Sequence, residues 1–386
     1  MEYRDLKKQY QILKPRIDAA VEEVCTNASF IGGQPVKELE KELAEYVGVK
    51  HCITCANGTD ALQLALMAWG IGPGDVVFVP DFTYFSSGEV VSAVGATPIF
   101  VDVDQRTYNI DSGKLEKAIK DIESAGKYRA KAVVAVDLFG LPADFTKIKK
   151  ICQNHNLLIL EDGAQGFGGE LNGKKACSFG DISTTSFFPA KPVGCYGDGG
   201  AIFTNNDEWD ALLRSYAVHG KGSSKYDNIR IGMNSRLDTI QAAILRIKLD
   251  ALEKNELTDV NKVAALYTEK FKEAKVEEKG VVLPLIPSDY LSSWAQYTIQ
   301  LPVSFGKDGR DKLQEKLKEQ GIPAMIYYLK PMHDQVAFEG TDSAIADCPV
   351  TEELCNRVLS LPLDPYKTEE DVSKVVAAVM NFINDN

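Results

Sequence analysis

The sequence has no run of the roughly 18 apolar residues that a membrane-crossing helix needs, so no membrane partner is expected. It lacks internal repeats and low-complexity tracts, which points away from a solenoid. Its positive charges are outnumbered, 43 Lys and Arg against 55 Asp and Glu, for a net charge of -12 at pH 7. No basic patch can dominate such a field, and broad nucleic-acid binding is excluded, though a few local donors can still hold a small anion. No G-x-G-x-x-G follows an early strand, which leaves a nicotinamide dehydrogenase without support, and no nucleotide P-loop is present. The start, Met1-Glu2-Tyr3-Arg4-Asp5-Leu6-Lys7, carries both charge signs and no apolar core. It does not read as a secretory signal, so a cytoplasmic protein is expected. Eight cysteines without an export signal point to reduced thiols. Cys52 and Cys55 form a C-x-x-C pair, but no second ligand pair and no helix at the first cysteine accompany it. They read as strand cysteines, and no metal site is expected.

What is present is an ordinary soluble composition, 45% apolar and 25% charged, in 386 residues, enough for two domains. Short apolar runs at 76–80, 97–102, 132–136, 157–162 and 201–204 read as strands. Helical patterns at 60–69, 113–124 and 145–155 lie between them. This alternation predicts an α/β fold with a mostly parallel central sheet and helices on both faces, with ligands beyond the carboxyl ends of the strands. After about residue 235 the pattern changes to long helices at 237–252 and 256–272, a strand at 295–301, and helices at 309–320 and 369–383. The expected division is a large domain over 1–250, with an N-terminal arm, and a small C-terminal α+β domain over 251–386.

Several residues suggest a phosphate-bearing aldehyde cofactor. Lys191 stands between an aromatic-proline turn and a glycine-rich loop, with no charged neighbour nearer than Asp198. A desolvated lysine more readily becomes the neutral nucleophile that condenses with an aldehyde, although a lysine with a buried stem fits the segment too. Asn57-Gly58-Thr59-Asp60 opens a helix after the first strand, and its free N–H groups suit a phosphate as well as they suit a plain cap. Asp162 ends a strand, where it could pair with a cationic ring nitrogen or cap a turn. Gln165 could reach a ring oxygen, Tyr84 could stack on a flat ring, and the Ser186 hydroxyl could join Thr59. Asn234 and Arg236, just before a long helix, are natural oxyanion donors. Their order along the chain is the stronger signal.

With these residues in view, the chain resembles the DegT/StrS family of fold-type I pyridoxal phosphate (PLP) enzymes, which aminate nucleotide-linked keto sugars. The resemblance runs from Tyr3-Arg4-Asp5-Leu6 and Phe30-Ile31-Gly32-Gly33 through Ala56-Asn57-Gly58-Thr59-Asp60, Asp81-Phe82-Thr83-Tyr84 and Glu161-Asp162-Gly163-Ala164-Gln165. It continues over the lysine loop, His219-Gly220 and Asn234-Ser235-Arg236-Leu237-Asp238. The stretch Ser186 to Gly200 is especially similar to 3-aminotransferases acting on UDP-2-acetamido-3-oxo-hexuronates.

The resemblance implies that Lys191 carries PLP, that Asp162 holds the ring nitrogen with Gln165 near the ring oxygen, and that Tyr84 stacks on the ring. Gly58, Thr59 and Ser186 would bind the phosphate. Asn234 would reach the phosphate of a neighbouring subunit in a homodimer. Gly32, Arg236, Tyr327 and Tyr328 would face the sugar. L-glutamate would be the amino donor, with pyridoxamine phosphate as the alternate cofactor form. Related uronate enzymes carry His-Tyr where Tyr327-Tyr328 stands here, which leaves the sugar open; Lys330 is a candidate replacement cation. The alternative is amination at C4 of a UDP-, dTDP- or GDP-linked 4-keto-6-deoxy sugar. Lys191 argues against the related dehydratases, which carry histidine there, and the complete set argues against a non-catalytic regulator.

Overall fold

The computed structural model describes residues 1–224 and 226–385. Its centre is a seven-stranded sheet built from β1 (His51–Cys55), β2 (Asp75–Pro80), β3 (Thr97–Val101), β4 (Arg129–Val136), β5 (Leu158–Asp162), β8 (Ile182–Ser186) and β9 (Gly200–Thr204). A small hairpin of β6 (Glu170–Leu171) and β7 (Lys174–Lys175) lies between β5 and β8 in the chain. The strand order is β1-β9-β8-β5-β4-β2-β3, and only β9 runs antiparallel to its neighbours. β2 and β4 are buried along nearly their whole apolar length, as a sheet covered on both faces requires.

The sequence reading misses β8 because Ile-Ser-Thr-Thr-Ser has no apolar alternation. Its hydroxyls are satisfied by neighbouring chain instead: Ser183 donates to Glu161, Thr184 to the Glu161 carbonyl and Thr185 to the Gly163 carbonyl. A buried polar strand is tolerated when each group has such a partner. The helix expected at 237–252 is continued into the one expected at 256–272, as the sequence suggests. Thr239–Ala251 continues through a π-helical turn, Leu252–Glu256, into Leu257–Glu273.

Register brings the functional ends together. Asp162 on β5 lies opposite Thr184, and Ser186 at the end of β8 lies opposite Gly200, which also faces Cys55 of β1. The carboxyl ends of β1, β5 and β8 therefore share one edge. Helices α1 (Leu6–Thr26) and α2 (Gln34–Val47) precede the sheet, and α1 packs Leu13 and Ile17 on Ile244 and Ile247. A second core, including Tyr267, Phe271, Leu313 and Val379, surrounds an antiparallel pair, Tyr297–Gln300 with Val358–Leu361. Met332, Phe338 and Leu354, by contrast, pack into the core of the large sheet. No helix among the described residues is long and apolar enough to cross a membrane.

The segment after Tyr327 and Tyr328 is fastened at the end of β2. The buried Asp81 carboxylate accepts from the His333 N–H at 2.9 Å and pairs with His333 Nδ1 at 2.7 Å. The hydrogen bond to Asp81 raises the His333 pKa, against the opposing effect of burial. Asp334 and Glu352 face the other ring nitrogen. A raised histidine pKa gives stability that is complete below the unfolded value near 6.5 and lost as pH rises through the folded one. Replacing His333 with Gln should cost about 1.5–3 kcal/mol at pH 6 and clearly less at pH 9, read by denaturant unfolding. Equal costs at both would refute a charged pair.

Candidate active site

A cavity of ≈ 670 Å³ opens at the shared strand edge. Gly58, Thr59, Tyr84, Asp162, Gln165, Ser186, Lys191, Tyr327 and Tyr328, all singled out from sequence, line it. Asn57, the N-cap of α3 (Gly58–Ala68), accepts from the Asp60 N–H at 2.8 Å. The N–H groups of Gly58 and Thr59 have no acceptor among the described residues and stand at the positive end of the helix dipole. A Cβ on Gly58 would lie 2.7 Å from Ser186 Cβ, so only glycine lets this turn close on β8. Thr59 Oγ1 also lies 2.8 Å from Ser86 Oγ, at the start of α4 (Ser86–Ala93). These donors form an anion cradle without a lysine.

Asp162, 6% exposed, sits at the floor. Ser87 Oγ donates to it at 2.8 Å, and the Ala164 N–H at 3.2 Å. Lys191 is partly buried, and its amine makes no hydrogen bond or ion pair among the described residues. Burial pushes the Lys191 pKa down; Asp162 opposes this, and Arg4 adds to it. Arg4 belongs to an N-terminal arm pinned by Leu363 N–H to the Tyr3 carbonyl at 3.1 Å and by Asp5 N–H to Asp364 at 2.9 Å. The sequence reading quotes Arg4 and gives it no role. It also passes over Ser86 and Ser87, whose only signal is their place just after Tyr84.

Gln165 is not solvated, as a lone loop glutamine usually is. Its Oε1 accepts from the Phe139 N–H at 2.7 Å, and its Nε2 donates to Tyr328 Oη at 3.0 Å. The backbone N–H can only donate, so it fixes which end of the amide faces Tyr328. Tyr328 Oη is then the acceptor, and its own proton is free to point elsewhere in the cavity. Burial lifts the Tyr328 pKa beyond the usual phenol range, so this proton stays in place near neutral pH. Tyr84 is 60% exposed at the rim, its ring centroid 6.5 Å from that of Tyr328.

Three expected residues stand apart from this cavity. Asn234 and Arg236 are exposed and line a separate cleft with Ile31, Gly197 and Gln241; Asp198 borders both. The Arg236 side chain has no ion pair or hydrogen bond among the described residues. Gly32 lies on the adjoining loop, its carbonyl accepting from Thr239 Oγ1 at 2.8 Å. Cys52 and Cys55 are buried in β1, as expected of strand cysteines.

A free amine, a carboxylate floor and an unfilled donor cradle suit a flat, phosphate-bearing aldehyde with a basic ring nitrogen. Comparison with known proteins agrees. Residues 11–380 match the profile of the DegT/DnrJ/EryC1/StrS aminotransferase family. The chain is 42% identical, over 99% of its length and 100% of the relative's, to a UDP-2-acetamido-2-deoxy-3-oxo-D-glucuronate aminotransferase of Pseudomonas aeruginosa. A crystal structure of a DegT/DnrJ/EryC1/StrS aminotransferase from Brucella abortus is similar at TM-score 0.93 and 46% identity, covering 99% of both chains. A Bacillus subtilis structure with bound pyridoxamine phosphate is similar at TM-score 0.87 and 29% identity, over 96% of this chain and 82% of that one.

Replacing Gly58 with Ala should weaken PLP binding by about tenfold, ~1.4 kcal/mol, as Ser186 is displaced. Fluorescence titration checks this; unchanged affinity would remove the turn from the phosphate site.

Proposed function

Because the chain belongs to the DegT/DnrJ/EryC1/StrS aminotransferase family of PLP enzymes, we propose that it moves the amino group of L-glutamate to a UDP-linked 2-acetamido-3-oxo-hexuronate. The products would be 2-oxoglutarate and the 3-amino sugar. The observation that carries this reading is the unpaired, partly buried Lys191 amine in one cavity with Asp162. When bound, PLP supplies an aldehyde for condensation and a ring that draws electrons from the donor's α-carbon.

The chain's residues do the rest. Lys191 Nζ would hold the cofactor's aldehyde carbon and, when free, would carry a proton from the donor's α-carbon back to the cofactor. Asp162 would pair with the cofactor's ring nitrogen, and Ser87 keeps that carboxylate in place. The Gly58 and Thr59 N–H groups, with the Thr59 and Ser186 hydroxyls, anchor the phosphate. Tyr84, at the rim, would stack on the ring. Gln165 holds Tyr328, whose free proton meets an oxygen of the sugar.

The substrate assignment rests on the Pseudomonas aeruginosa relative's activity. Arg236, exposed and unpaired among the described residues, would take the sugar carboxylate, with Gly32 on the adjoining loop and Tyr327 facing it from the other subunit's cavity. Asn234 and Arg236 open away from the chain's own Lys191 cavity, which favours a homodimer in which they complete the partner's site. Free cysteines throughout the chain fit a cytoplasmic location.

A panel of UDP-, dTDP- and GDP-linked 3-keto and 4-keto sugars, with glutamate as donor, tests the assignment. Turnover should be greatest with the UDP-linked 3-keto uronate; preference for a 4-keto sugar would overturn it. Replacing Lys191 with Ala should lower turnover by about 10²–10⁴-fold or more with the fold intact by circular dichroism. Replacing Tyr328 with Phe should cut kcat/KM for the keto sugar about tenfold and leave the glutamate half-reaction nearly unchanged. An equal loss in both halves would contradict the sugar-side role.

A further inference from the structure

Directly behind Asp162 lies a second pair of carboxyl groups that the proposed chemistry does not use. Asp137 and Glu161 are both fully buried. Glu161 accepts from four donors: the Cys177 N–H on Oε1, and the Phe179 N–H at 2.7 Å, the Gly180 N–H at 3.0 Å and Ser183 Oγ at 2.7 Å on Oε2. Burial raises the Glu161 pKa, and these four donors oppose it by favouring the ionised form. Asp137 differs. Its Oδ1 accepts from the Ala143 N–H at 3.0 Å, but no donor among the described residues reaches the buried Oδ2.

An ionised oxygen buried without a donor is costly, and a second bare charge beside Glu161 is costlier. A proton on Asp137 Oδ2 that is donated toward Glu161 removes both costs. The backbone makes room for this arrangement. A Cβ on Gly166 would fall inside the Asp137 carboxyl group, and one on Gly163 would lie 2.5 Å from Cys177 Sγ. Asp137 is joined to the site through its own N–H, which donates to the Asp162 carbonyl at 3.1 Å.

We propose that Asp137 is a positioning residue that holds a proton against Glu161, so that a neutral acid lies behind the carboxylate facing the cofactor ring. The functional half of this rests on Asp162 acting as the ring partner. Kept neutral, Asp137 fixes the end of β5 without adding a charge that would strengthen proton binding at Lys191. Burial, and next the charge of Glu161, push the Asp137 pKa well up. The titratable groups facing it are Glu161 and Asp162 on β5, Cys177 on the loop before β8, and Tyr290 from the far side.

The sign of the pH effect follows. Above pH ~4 the unfolded chain has released this proton and the folded chain keeps it. Stability therefore falls as pH rises, by up to about tenfold in the folding constant per pH unit until the folded pKa is reached. Asp137→Asn carries the donor permanently and lacks this dependence.

Urea unfolding of the full chain without cofactor, from pH 5.5 to 7.5, should show the ratio of folding constants, D137N over wild type, climbing with pH by up to about tenfold per unit. A flat ratio overturns the shared proton, whatever becomes of the PLP reading. Infrared spectra of the wild type alone should show a carboxylic acid carbonyl band at neutral pH; its absence overturns the proposal even if D137N fails to fold. For the link to the site, D137N should keep the wild-type PLP affinity and the pH midpoint of the bound cofactor's absorbance, while Asp137→Ala should lose affinity about tenfold. If D137N behaves like D137A, or shifts the midpoint, Asp137 does not act as a neutral acid behind Asp162.

Discussion

The site depends on one electrostatic constraint: a carboxylate must hold its place at the floor of a partly buried cavity while a nearby amine stays ready to lose its proton. The two demands oppose each other, because the negative charge of Asp162 favours the charged form of Lys191. Burial outweighs that pull and leaves the amine's proton affinity lowered, with Arg4 helping. The fold supplies the conditions for this balance. Strand pairing with β4 and β8 fixes the Asp162 backbone, and the Ser87 hydroxyl and Ala164 N–H hold its carboxylate, so turning it toward the amine would break those two hydrogen bonds.

The rest of the cavity follows from where the strands stop. A mostly parallel sheet brings the ends of β1, β5 and β8 to one edge, and the start of α3 closes on β8 because residue 58 has no side chain. Charge need not be imported to hold an anion there; unsatisfied helix N–H groups and three hydroxyls suffice. Depressed proton affinity by itself does not define such a site. Burial also lowers the Lys248 pKa, to about 8, yet its amine lies 4.5 Å from the centre of the Tyr196 ring and does not line the cavity.

Much of this was legible in the sequence because it follows from local pattern. Apolar strands separated by helices give the sheet, and a strand-end aspartate, a glycine turn and an isolated lysine mark its functional edge. What escaped depends on partners distant in sequence. β8 is polar and becomes a strand only because Glu161 and Gly163 receive its hydroxyl protons. Gln165 looks like a surface amide until the Phe139 N–H and Tyr328 occupy both its ends. Asp137 is one residue beyond an apolar run, and nothing local reveals that its N–H donates to the Asp162 carbonyl while its Oδ2 is buried without a donor among the described residues.

The claim that Lys191 is the amine that condenses with PLP can be tested directly by chemical trapping. Protein saturated with PLP, reduced with borohydride and digested, should carry the cofactor's mass on the peptide containing Lys191 and on no other. An adduct on Lys248 instead, or none at all, would contradict the account.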